Sequence, residues 1–483
     1  MRLRLSYFII FIIAGVSLLG TSCKKQVQTL STGGVLSFST DTLTFDTVFT
    51  SLGSFTTWLK IYNTNSEEIS ISSISLLHGS TSYFRLNING AAGNTATNVK
   101  IAPNDSIYVF ATVLVDPTTA TNPFLITDSL VANLNGKNFY LPFEAFGQNA
   151  HYIVGDTLDT QTWVNDLPYV IIHSAQVNPG QTLTINPGCH IYMHQDSRLI
   201  VEGTLTAKGT NTDSIVFLGD RLDRAYFGYQ GYPGEWGGLY FTPYSAGSVL
   251  DNVKIENCGN SALNAIPAAI QTTLDSVNDP AHPQLTLTHT IIENSIGYGI
   301  LNFGGTVIAS NCLVNTCGAW CFANIQGGLD SIVNCTFVCY GTDKVDHSQY
   351  GTVALLNYFQ IDDTHYTPGN LNAVFRNCII YGSMENELYC DQQSGAVANI
   401  TLDHCLAKAD SIAGFVSNLN ASCKLDQDPL FNNYATWDYT LKTGSPAIGY
   451  GVVVSLIDDL VGNSRPHGSV GSGYDLGCYQ NKF

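Results

Sequence analysis

Between Asp220 and Tyr244 the chain concentrates groups suited to a polyol. Asp220, Arg221, Asp223 and Arg224 supply carboxylates and guanidinium forks, and Tyr226, Tyr229, Tyr232, Glu235 and Trp236 follow closely. Aromatic faces stack on sugar rings, and Arg and Asp hydrogen-bond to hydroxyls. The segment is therefore the sequence's candidate ligand-binding site, with a glycan as the expected ligand. The competing reading packs these aromatics over their own coil and pairs the arginines with Asp220, Asp223 or Glu235. For Trp236, which opens the strand-like run Trp236-Gly237-Gly238-Leu239-Tyr240-Phe241, that second reading is favoured.

Other constellations fall short of a reaction. Asp362-Asp363 offers two carboxylates, as glycoside hydrolysis needs, but in a polar, Pro-containing excursion that reads as a solvated loop. Asp343, Asp346, His347, Asp362, Asp363 and His365 flank the strand around Thr352–Tyr358, where two loops would have to meet to bind a cation. Arg376 stands beside a recurring Asn without the acidic calcium ligands a lyase base requires. Asn211-Thr212-Asp213 resembles the Asn-Thr-Asp of polygalacturonases, yet no Gly-His-Gly or Arg-Ile-Lys partner follows it. The sequence thus predicts no catalytic residue, no metal and no cofactor.

The positioning elements begin at the N-terminus. Met1-Arg2-Leu3-Arg4, an apolar run to about Gly20, and Gly20-Thr21-Ser22-Cys23 form a basic, then apolar, then small-residue order. That is the layout of a secretory signal, too short in its apolar part to span a bilayer stably. Cys23 after small residues resembles the lipobox of bacterial lipoproteins, which implies lipidation of Cys23, residues 1–22 as signal peptide and 23–33 as tether. Lys24-Lys25 lacks the acidic second residue associated with inner-membrane retention, which favours the outer membrane, on either face. Cleavage removes Arg2 and Arg4 and takes the net charge from −18 to −20. So acidic a chain is a poor partner for nucleic acid, whose phosphates demand cations.

Thirteen cysteines suggest disulfides in an exported protein. Cys335 and Cys339, however, would lie about 13 Å apart on one extended strand, beyond disulfide reach. Several others recur at one place in a repeat, where stacked thiols pack as small apolar groups. No CxxC pair with zinc spacing occurs.

Residues 34–148 read as seven short strands between Gly, Asn, Asp and Pro clusters, the pattern of a β-sandwich. The runs Thr57–Asn63, Ile69–Ile74, Ile101–Ser106 and Leu141–Gly147 resemble immunoglobulin-like domains of the ASH/MSP type, in which Trp58 is expected to be a core aromatic. A linker at 149–168 precedes residues 169–425, where brief strands alternate with tight turns and no helix fits between them. Val253–Cys258 is echoed at Thr290–Ser295, Ile308–Cys312, Ile332–Cys335, Val374–Cys378 and Leu402–Cys405, with Asn or His before the last residue. Separations of 17 and 23 residues suit single coils, and Asn tolerates the left-handed conformation of a sharp corner and bonds to its like one coil away. This is the signature of a parallel β-helix, and it resembles the right-handed, pectate-lyase-like superfamily. Residues 426–483, with Asp428-Pro429-Leu430-Phe431, Gly444-Ser445-Pro446-Ala447 and Asp475-Leu476-Gly477-Cys478-Tyr479, resemble the choice-of-anchor Q type of C-terminal segment and read as a cap holding Asp459 and Arg465 structurally.

The expected fold class is all-β: an N-terminal β-sandwich, then a right-handed parallel β-helix with a C-terminal cap. The expected function is a non-catalytic envelope lipoprotein that binds glycan or an envelope partner along the β-helix, with a membrane as partner through its anchor. A polysaccharide lyase or glycoside hydrolase on the same scaffold is the alternative, and a structural adhesin the second alternative. Neither the glycan nor the oligomeric state is legible.

Overall fold

The computed structural model describes residues 34–222, 231–260, 266–273, 284–362, 364–409, 414–417, 422–467 and 473–481. Cys23 lies outside these residues. Two units are present, residues 34–118 with 123–148, and 119–122 with 149–481.

The first unit is a sandwich of two five-stranded sheets. One sheet orders Leu36–Phe38, Thr57–Asn63, Ser106–Val113, Phe84–Ile88 and Ala91–Ala92; the other orders Leu43–Phe49, Lys137–Gln148, Phe124–Leu134, Ile69–Leu76 and Thr95–Ile101. Strict alternation builds the interior. In Thr57–Asn63 the side chains of Thr57, Leu59, Ile61 and Asn63 turn inward, and Phe45, Phe84 and Phe143 meet at 5.3–5.4 Å between the sheets. Three of the ten strands were not among the seven anticipated, the two-residue Ala91–Ala92 being the shortest. Leu43–Phe49 pairs in parallel with the distant Lys137–Gln148, a non-local contact with no local signal. Thr95–Ile101 is a polar edge strand, mostly exposed.

Trp58 corrects an expectation. It is 50% exposed, on the outer face, because the two-residue period that buries Leu59 and Ile61 turns Trp58 to solvent.

The second unit is a right-handed parallel β-helix. Three parallel sheets of eleven, nine and nine strands run from His151–Val154, Thr157–Leu158 and Gln161–Trp163 onward, and successive coils pair in register. Inward residues of all three sheets form one continuous core, with Phe322, Phe337 and Phe375 meeting at 5.7–5.9 Å.

The recurring Asn residues do occupy left-handed corners, but two corners rather than one. Asn252, His289, Asn311, Asn334, Asn377 and His404 precede strands of the eleven-stranded sheet, with φ between 45° and 54°. Asn257, Asn294 and Thr316 lie at the far ends of strands in that sheet, with φ between 54° and 59°. Sequence alignment merged the two sets because both corners impose the same backbone requirement. Asn294 donates to Asn257 at 2.6 Å and Asn377 to Asn334 at 3.2 Å, so ladder bonds exist at both.

Twelve cysteines are described and all are free thiols, most of them buried. Cys312, Cys335, Cys378 and Cys405 follow the first corner in successive coils and contribute to the core.

The C-terminal cap, residues 426–481, covers a flank of the stack. Phe431, Tyr439, Leu441, Leu460 and Leu476 pack on Leu313, Val338, Ile379 and Leu406, the outward residues of the eleven-stranded sheet in its later coils. Corner amides secure it. Asn311 donates to Asp458 O at 3.0 Å, Asn334 to Asp475 O at 2.9 Å, and Asn377 to Val452 O at 2.8 Å, with Val452 N returning a bond to Asn377. The strands show the consequence of this cover. His190–Met193 alternates exposed and buried, whereas Leu313–Cys317 and Thr336–Cys339 are buried on both faces.

Candidate functional site

Where the cap meets the later coils, a groove of about 520 Å³ opens. Its solenoid wall comprises Tyr340, Tyr381, Gly382, Ser383 and Lys408; its cap wall comprises Asp428, Leu430 to Ala435 and Lys442. Strand alternation places Tyr381, since Ile380 turns into the core and Tyr381 turns outward in Ile379–Gly382. Tyr434 comes from the short turn Tyr434–Thr436 between the paired strands Phe431–Asn433 and Asp438–Leu441. Buried Phe431, Tyr439 and Leu441 hold that hairpin on the sheet and leave Tyr434 52% exposed.

Tyr340 and Tyr434 stack at 4.3 Å with 22° between their planes. The Lys408 ammonium lies 5.3 Å from the centre of the Tyr381 ring and donates to Gly382 O at 3.1 Å. Burial, then the nearby acidic groups, pushes the Tyr340 and Tyr381 phenols up, so both keep their protons and offer hydroxyl donors. Tyrosines, lysines and Asp428 thus line one concavity.

A buried ion pair supports the solenoid wall. Glu387, wholly buried, accepts from Met384 N at 2.8 Å, from His347 Nε2 at 3.1 Å, and from Thr352 Oγ1. A Cβ at Gly382 would strike both the Glu387 carboxylate and the Cys339 carbonyl, so only glycine fits there. Burial opposes the charge on His347, but bonds to Cys339 and Glu387 outweigh it and raise the imidazole to about 10. Cys339, beside Cys321 and His347, is held down to about 5. Cys339, His347 and Glu387 have the residue types of a nucleophilic triad. With His347 and Glu387 side chains 2% and 0% exposed, no substrate reaches them, and they act as a structural clamp.

Of the nine residues anticipated from sequence, five lie among the described ones. Asp220 bonds to His194 at 2.5 Å and raises that imidazole. Tyr232 N donates to Glu235 at 3.2 Å, and Lys344 lies 5.0 Å from the centre of the Tyr232 ring. Arg221 is exposed. Asp223, Arg224, Tyr226 and Tyr229 lie outside the described residues. Trp236 is removed from the ligand candidates: it is wholly buried, stacks near Phe217 at 6.5 Å and donates to Glu256 O at 2.8 Å.

The groups of the two polar loops pair separately. His347 turns inward to Glu387, His365 pairs with Asp362 at 2.8 Å, and Asp343 pairs with Lys344 at 2.9 Å. Asp363 lies outside the described residues, among which no three such groups gather as metal ligands. Arg376 pairs with Asp403 at 2.9 Å.

One charged cluster escaped the sequence reading. Lys254 bridges Glu256 at 3.0 Å and Glu293 at 2.8 Å on the eleven-stranded sheet. Burial pushes the Glu293 carboxyl up, although Lys254 pulls against it. The signal was alternation: Lys254 and Glu256 occupy outward positions, and Glu293 is in register with Glu256 one coil on.

No protein-family model matches the chain, and no curated protein does. Among solved structures, one that is similar over a short stretch is a family 123 glycoside hydrolase from Clostridium perfringens, described for glycolipid glycan hydrolysis. The likeness is 10% in identity with a TM-score of 0.17, over 23% of this chain and 25% of that one. The chain therefore spans about a quarter of that enzyme, and so low a score carries no argument about fold or activity.

Proposed function

We propose that this chain is a lipid-anchored envelope protein that holds glycan, without cleaving it, in the tyrosine groove. The carrying observation is that three tyrosines, Tyr340, Tyr381 and Tyr434, and two lysines, Lys408 and Lys442, line one concavity of about 520 Å³. Ligand sites are concave, largely apolar and equipped with a few convergent polar groups. A pyranose ring stacks on Tyr434, its hydroxyls bond to phenols, Asp428 and the asparagines, and a repeating polymer continues along the solenoid. The lipobox-like Cys23, the ASH/MSP-like sandwich and the choice-of-anchor-Q-like C-terminus support the envelope setting. Among the described residues no helix is long and apolar enough to cross a membrane.

A glycan array probed with residues 24–483, paired with assays for reducing ends and unsaturated products, tests the reading. Binding without turnover is expected, and Tyr434→Ala should weaken it about tenfold, near 1.4 kcal/mol, while leaving the fold intact. Array binding that is unchanged in Tyr434→Ala, or absent altogether, would overturn the groove assignment.

The polysaccharide-cleaving alternative keeps one supporting observation, the Glu256–Lys254–Glu293 cluster, because two close carboxyls of unlike environment suit acid–base chemistry. Product formation abolished by Glu293→Gln would favour it.

A further inference from the structure

The sandwich carries an aromatic face that the glycan reading does not use. On the sheet containing Thr57–Asn63 and Ser106–Val113, Trp58 stands opposite Phe110 and Lys60 opposite Tyr108. Trp58, Tyr108 and Phe110 are 50%, 42% and 38% exposed. Tyr108 touches both other rings, at 5.4 Å from Trp58 and 5.8 Å from Phe110, and Lys60 Nζ lies 4.6 Å from the centre of the Tyr108 ring. Arg85, on the neighbouring strand Phe84–Ile88, is an exposed cation on the same sheet.

Three observations identify what covers this face. Its outward strand positions, Trp58, Lys60 and Tyr62 on one strand, Tyr108, Phe110 and Thr112 on the next, include no carboxylate, in a protein of net charge −18. The opposite sheet also exposes Leu125, Tyr140 and Phe146, but it presents Asp46 and Glu144 among them. Trp, Tyr and basic residues over an apolar base match the headgroup layer of a bilayer, where amphipathic rings settle and cations meet phosphate. Finally, Leu36–Phe38, the strand that the N-terminal tether enters, lies in this same sheet beside Thr57–Asn63. The tether of 23–33 reaches at most about 35–40 Å when extended, which keeps the face within reach of the membrane holding Cys23.

We propose that the Trp58–Tyr108–Phe110 face, with Lys60 and Arg85, docks on the phospholipid headgroup layer and orients the sandwich against the membrane. The proposal rests on the anchored reading of Cys23 for its setting, and its test does not. Residues 24–483, which lack the lipidation site, are sedimented with vesicles of phosphatidylethanolamine and phosphatidylglycerol. The unanchored chain should co-sediment, and Trp58→Ser with Phe110→Ser should lower the bound fraction at least tenfold, with an unchanged circular dichroism spectrum because both side chains point to solvent. Lys60→Glu with Arg85→Glu should weaken binding to phosphatidylglycerol vesicles more than to purely zwitterionic ones. An unanchored chain left in the supernatant would overturn the proposal. So would a double serine variant that binds like the parent, or displacement from vesicles by soluble oligosaccharide, which would make the face a glycan site. Acyl labelling of the full chain and of Cys23→Ser reports separately on the anchor. Unlabelled parent protein would sink the anchor while leaving the vesicle result to stand or fall alone.

Discussion

The two aromatic surfaces differ in how they are made. The sandwich face arises from two adjacent strands whose alternation sends Trp58, Tyr108 and Phe110 outward, and its rings come from local pattern. The groove joins Tyr340 and Tyr381 of the solenoid to Tyr434 of the cap, roughly fifty to ninety-five residues apart in sequence, and exists only while the cap is seated. The outer, amphipathic face of a sheet suits an extended layer, whereas a concavity lined by polar and aromatic residues suits a discrete ligand. Damage to the cap should therefore erase one surface and spare the other.

The largest effect is expected from Asn377→Ala. It removes the bonds to Val452 and Asn334 and puts alanine at φ 54°. A loss of about 3–4 kcal/mol follows from unpaired buried groups plus left-handed strain. Denaturant titration and limited proteolysis should show early release of residues 426–481, with glycan binding lost and vesicle binding retained. Simultaneous loss of both would mean that the surfaces are not independent.

Glu387→Gln is next, costing about 3 kcal/mol because the protonated His347 loses its buried counter-charge. Since the Gly382–Ser383 wall leans on this clamp, array affinity should also fall, while the sandwich face again serves as the unchanged control. Retention of both stability and affinity would reassign Glu387 to a neutral pair.

The smallest effect concerns pH. His289 bonds to Asp251 and to Asp458 of the cap, each at 3.1 Å. The Asp251 bond first, with Asp458 added and burial opposing, raises the imidazole to about 9. A folded pKa above the unfolded value near 6.5 gives stability fully present below about pH 6.5 and lost as pH rises through 9. Such a shift implies roughly 3 kcal/mol, and solvent screening of the partly exposed Asp251 and Asp458 reduces it to about 2 kcal/mol. Thermal melts of parent and His289→Gln should differ at pH 6 and converge near pH 10. A pH-independent gap would remove His289 as the latch, and pH-dependent loss of groove binding with constant vesicle binding would sharpen the contrast.

Much of the fold was legible because it is periodic. Alternation in runs such as Thr182–Ile185 and the Asn before each corner are local signals, and they reported coils, sheets and left-handed turns. What failed was phase. Asn257 and Asn311 looked equivalent because two corners share one conformational demand, and Trp58 looked like core because burial was inferred from residue type and family likeness when its position in the two-residue period pointed outward. In the Asp220–Trp236 segment, two described side chains found partners outside it. Trp236 went inward and Asp220 found His194.

The sequence by itself determined the all-β class, the stacking of coils and the absence of a compelling reaction motif, since these depend on backbone preference and residue pattern within one or two coils. Tertiary structure alone decided which flank the last fifty residues cover, and so where Tyr340, Tyr381 and Tyr434 meet. The physical reason is that the cap is held by Asn311, Asn334 and Asn377 amides that look, in sequence, committed to their own ladder. Each amide has more bonding capacity than a ladder consumes, and only the folded chain reveals what takes the remainder.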